Sequence, residues 1–72
     1  MKHGDKIERI YWPVPEHGQQ ASLIASEADP LVYEEVYHGD RTDCWIVAYV
    51  NGKEAARHNT KYIESIVLKP TP

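Results

Sequence analysis

At 72 residues the chain is long enough for one small domain and no more. A formal net charge of −3 makes it a poor binder of duplex DNA, where phosphate neutralisation dominates affinity. Cys44 is the only cysteine, which excludes an internal disulfide and a four-cysteine zinc site.

Met1–Lys6 is polar and leads straight into a strand-like run, with no apolar signal region. No run approaches membrane-spanning length. With one unpaired thiol, these features lead to the expectation of a reducing cytoplasm and no membrane. The charge is uneven. Residues 1–26 balance, and residues 44–72 carry a net +2. Residues 27–43 hold Glu27, Asp29, Glu34, Glu35, Asp40 and Asp43 against Arg41 alone, a net −5.

Lys6–Trp12, K-I-E-R-I-Y-W, reads as a strand. Ile10, Trp12 and Val14 share one parity; Ile7, Arg9 and Tyr11 share the other. Pro13 and Pro15 lack a backbone donor and are expected to stop the ladder, leaving 13–20 as an exposed proline-rich loop. Residues 21–26, A-S-L-I-A-S, suit a strand or a short helix, and the strand is preferred.

Asp29-Pro30 marks a boundary, because the residue before proline is pushed out of the helical region. For 31–38, a helix would use Asp29 as N-cap, Pro30 at the first position and Gly39 as the stop. The strand reading is favoured, since valine and tyrosine suit a strand and the next element needs a neighbour. His38–Asp43 is then a hairpin loop.

Cys44–Val50 holds seven uncharged residues and reads as a buried central strand. Asn51-Gly52 follows, the dipeptide that best supports a two-residue hairpin turn. Such a loop pairs Val50 with Lys53, Tyr49 with Glu54, Ala48 with Ala55, Val47 with Ala56, Trp45 with His58 and Cys44 with Asn59. A competing reading makes 53–68 one helix capped by Asn51 and Glu54. The polar patch His58-Asn59-Thr60 argues against it. Tyr62–Leu68 is the last strand, with Tyr62, Ile66 and Leu68 on one parity, and 69–72 is a loose tail. The fold class is therefore mostly β. It is a small single-domain antiparallel sheet or partly open barrel of about 4–6 strands, with room for one short helix.

Few residues suggest chemistry. None of His3, His17, His38 and His58 stands three or four residues from another or from Cys44, so no local metal pair exists. The predicted register sets His58 on the face away from Cys44, which argues against a thiol–imidazole pair. Asp40 and Asp43 suit turn-making. The glycines show no phosphate-cradling spacing. No catalytic activity, cofactor or metal is expected.

The expected function is a small protein-binding module of the regulator or inhibitor type. Its partner is another protein, or a second copy forming a homodimer, met through the acidic residues Glu27, Asp29, Glu34, Glu35, Asp40 and Asp43 or an open sheet edge. The alternative is a single-strand nucleic-acid binder using Trp45, Tyr49, Lys53, Arg57, His58 and Lys61. Against it, the aromatic residues are expected to fill a core that has no phenylalanine.

Overall fold

The computed structural model of the chain describes residues 1–16 and 18–70; His17, Thr71 and Pro72 lie outside them. Six antiparallel strands form one curled half-barrel sheet. They are β1 (Lys6–Val14), β2 (Gln19–Ile24), β3 (Leu31–Tyr37), β4 (Thr42–Val50), β5 (Lys53–Asn59) and β6 (Ser65–Leu68). The order is β2-β1-β3-β4-β5, and β6 pairs with β1 off that path. The expected mostly-β fold is thus observed, and residues 21–24 and 31–37 are strand. The only helical element among the described residues is a 3-10 turn at Thr60–Tyr62. The polar patch that argued against a long helix initiates it: Asn59 Oδ1 accepts the Lys61 N–H at 3.1 Å.

β1 organises the sheet because it meets three strands with only two edges. β2 and β3 share one edge end to end, with Arg9 opposite Ile24 and Ile7 opposite Leu31. β6 takes the other, from Ile7 opposite Leu68 to Tyr11 opposite Ser65. A β-bulge lies between Ile7 and Arg9. An extra residue in a strand resets its alternation. Ile7 and Ile10, of opposite parity, therefore both face the interior and are both buried.

The expected loop over 13–20 is shorter than its prolines suggest. β1 runs on to Val14, pairing Pro13 with Gln20 and Val14 with Gln19. The Tyr11 carbonyl points towards β6, where it accepts the Glu64 N–H at 2.8 Å. Pro13, two residues on, turns its donorless nitrogen to the same side, past the start of β6. No ladder bond is lost there.

The Asn51-Gly52 turn forms as read, with positive φ of 53° and 78°. Val50 faces Lys53 and Tyr49 faces Glu54. The predicted register then fails, because a bulge at Ala55 advances β5 by one residue. Ala48 meets Ala56, Val47 meets Arg57, Ile46 meets His58 and Trp45 meets Asn59. The last strand also begins later than expected, at Ser65 rather than Tyr62. The 3-10 turn resets its phase, so Ile63 and Ile66 pack inward while Tyr62 and Leu68 stay exposed.

The interior is aliphatic: Ile7, Ile10, Leu31, Ile46 and Ala48, with Tyr33 the one buried aromatic. Leu23, Ala25, Ile63 and Ile66 close around it. The expectation that Trp45 and Tyr49 fill this core is corrected. Both are half-buried on the opposite face, because they alternate with Ile46 and Ala48 along β4. That outer face has a buried centre of its own in Val47, flanked by Val32 and Arg57. Curling is visible where Trp12 of β1 stacks on His58 of β5, ring centroids 5.0 Å apart.

Candidate functional site

The six acidic residues named from the sequence do not share one surface. Asp29 sits in the β2–β3 connection, where its Oδ1 accepts the Asn51 N–H at 3.3 Å. Glu27 is exposed in the same connection. Glu34 and Glu35 are neighbours in one strand and so point to opposite faces. Glu34 faces Trp45 on the outside, 3.7 Å from Arg57. Glu35 faces Cys44 on the inside and accepts the Tyr37 hydroxyl at 2.9 Å, which raises the Tyr37 pKa. Asp43 lies near the start of β4, opposite Val36, 2.9 Å from His38 and 3.7 Å from Arg41. Asp40 is exposed at the tip of that loop.

The basic and aromatic set divides as well. Trp45, Tyr49 and Arg57 lie on the outer face, but Arg57 is not a free cation. Its Nε and Nη2 donate to Glu54 at 2.9 and 2.8 Å. That bidentate pair holds the Glu54 carboxyl below its ordinary pKa and lifts that of Arg57. His58 turns inward onto Trp12, and Lys53 stands at the hairpin end. Lys61 lies 5.1 Å from the Tyr62 ring centre. Trp12, Arg57, His58, Asn59, Tyr62 and Ile63 line a cleft of about 180 Å³.

The bulge at Ala55 also overturns the argument that kept Cys44 and His58 apart. With His58 opposite Ile46, both point to the inner face. Each already has another contact, His58 with Trp12 and the thiol with the Tyr33 hydroxyl. The bond to Cys44, helped by burial, raises the Tyr33 pKa well above that of a free phenol. No group of three His, Cys, Asp or Glu side chains among the described residues is placed to hold a metal. None of their helices is long and apolar enough to cross a membrane.

Among the described residues, three strands pair with a single neighbour: β2, β5 and β6. β2 is edged by exposed Gln19, Gln20 and Ser22. β5 carries Lys53, Glu54 and Arg57 and is bent by its bulge. Charge and bulges of this kind deter strand-to-strand association. β2, Q-Q-A-S-L-I, and β6, S-I-V-L, have neither device; β6 is the more apolar of the two. Leu68 pairs with Ile7, which is 1% exposed, yet Leu68 itself is 50% exposed. Both side chains lie on the inner face; the difference is that no described strand pairs with the far edge of β6. On the outer face Val67, 39% exposed, and Ile24, 56% exposed, flank Arg9 in one cross-strand row.

Ile24, Val67 and Leu68 were not among the site residues named from the sequence. The uncharged run Ser65–Leu68 was the available signal, but an apolar strand reads as core until its neighbours are known. Compared with protein families, with curated proteins and with solved structures, the chain shows no match.

Proposed function

We propose that this chain is a small protein-binding module without catalytic activity, and that it receives an extended segment of another protein as an added strand along β6. Such addition draws affinity from main-chain hydrogen bonds and selectivity from alternate side chains. The observation that carries the reading is the half-exposed Leu68 on the inner face of an edge strand without charge or bulge. The scattered acidic residues support this reading less well than a continuous edge does. A β6-to-β6 homodimer is a weaker candidate, since a four-residue strand alone buries little of the surface a stable dimer needs. The single thiol suits a reducing compartment, and we assign the module to the cytoplasm.

The test is affinity capture from the source cell with the intact chain, Val67→Glu and the double variant Glu34→Lys/Glu35→Lys. The partner retained by the intact chain is expected to be lost with Val67→Glu and kept with the double variant. The opposite pattern would return the interface to the acidic segment.

A second reading, single-stranded nucleic acid, rests on Tyr62, 69% exposed, with Lys61 near its ring beside the Trp12–His58 cleft. Titrating tryptophan fluorescence with an oligothymidylate at low salt decides it. Absence of quenching at micromolar concentration removes this alternative.

A further inference from the structure

We infer that the segment added along β6 is acidic on one face and apolar on the other; this rests on the strand-addition reading above. A neighbour of β6 alternates between two environments. Its inner positions would lie beside Ile66 and Leu68, and covering Leu68 calls for apolar side chains. Its outer positions would lie beside Ser65, Val67 and Lys69. Lys69 stands opposite Lys6, to whose carbonyl it donates its N–H at 3.3 Å. Arg9 stands opposite Val67.

Lys6, Arg9 and Lys69 take part in no ion pair among the described residues, unlike Arg57, Arg41 and His38. Arg9 does donate to the Tyr11 hydroxyl at 2.8 Å, which raises its pKa, and the neighbouring Glu8 charge adds to the rise. Glu8, in the β1 bulge, lies between Lys6 and Arg9, and Glu27 lines a cleft with Lys6 and Lys69, so the three cations and two carboxylates sum to +1. This net positive charge beside an apolar edge favours carboxylates on the partner's outer face. It also disfavours a second copy as the occupant. The chain's own edge strands are β2 without charge, β5 with mixed charge and β6 without carboxylate, and none alternates acid with apolar residues.

Two capped hexapeptides test the inference, one alternating glutamate with valine and one alternating lysine with valine. Each is titrated into the isotopically labelled full chain, followed by backbone amide shifts. The glutamate peptide is expected to shift the amides of Ser65–Leu68 and to bind about tenfold more tightly than the lysine peptide. Added salt, or Lys6→Glu with Lys69→Glu, is expected to abolish that preference. Equal binding of both peptides at β6 would overturn the acidic partner and leave strand addition standing. No shift at Ser65–Leu68 with either peptide would overturn both. Phosphatidylserine vesicles are the control for an anionic surface: co-sedimentation lost in Lys6→Glu/Lys69→Glu, with no response to the glutamate peptide, would assign the cations to lipid and overturn the inference.

Discussion

β5 and β6 are both edge strands of one sheet, and they are built on opposite terms. β5 is bent by a bulge at Ala55 and carries Lys53, Glu54 and Arg57; the Glu54–Arg57 pair keeps charge along its length. β6 is apolar and short, with Val67 and Leu68 open to solvent. Backbone donors and acceptors are exposed on both. Only one is arranged to keep another chain away. The contrast teaches that an unpaired edge alone is not a site, whereas one without charge or bulge that exposes apolar side chains is a candidate.

The largest way to break this contrast is to unseat β6. Ile10 is fully buried and stands opposite both Leu23 and Ile66. Ile10→Ala is expected to cost about 2–5 kcal/mol, comparable with the ~3–5 kcal/mol a domain of this size gains from one core. Circular dichroism with urea should show most of the cooperative transition lost.

A smaller effect comes from the β4–β5 turn. Gly52 has φ of 78° and open space around it, so Gly52→Ala strains the backbone without a clash. A loss of about 1–2 kcal/mol is expected from the urea midpoint. Native-state hydrogen exchange should show faster opening of β5 than of β6.

Two titrations sharpen the comparison by direction. Glu54 has a lowered folded pKa, so the stability from its pair with Arg57 is complete above the ordinary carboxylate value. It disappears as pH falls through the lowered one. Stability of the wild type should therefore fall more on acidification than that of Glu54→Gln, read from urea midpoints at neutral and acid pH. Tyr33 has a raised folded pKa, so its contribution is complete below the phenol value of about 10 and is lost as pH rises above it. Tyr33→Phe should flatten the alkaline limb.

The smallest stability change is expected from giving β6 the guard that β5 has. Val67→Glu should alter unfolding by no more than about 0.5 kcal/mol, as surface changes usually do, while removing partner capture. A large loss of stability would show that Val67 supports the fold instead.

The strands themselves were legible because their signals are local. Uncharged Cys44–Val50 is a strand, and Asn51-Gly52 reverses the chain, since both residues tolerate the positive φ a two-residue turn requires. The candidate site was not legible. Glu34 and Glu35 are adjacent in sequence but on opposite faces, while Ile24 and Val67 are 43 positions apart and lie in one row.

Tertiary structure decided three things that no local pattern carries. Two bulges, at Ala55 and between Ile7 and Arg9, reset which side chains face inward. A strand must shift register when the curl of the sheet requires a bend, and that curl is a property of all six strands together. The third is that β6 is left uncovered. Ser65–Leu68 has the composition of core, and only the assembled sheet shows that no described strand pairs with its far edge.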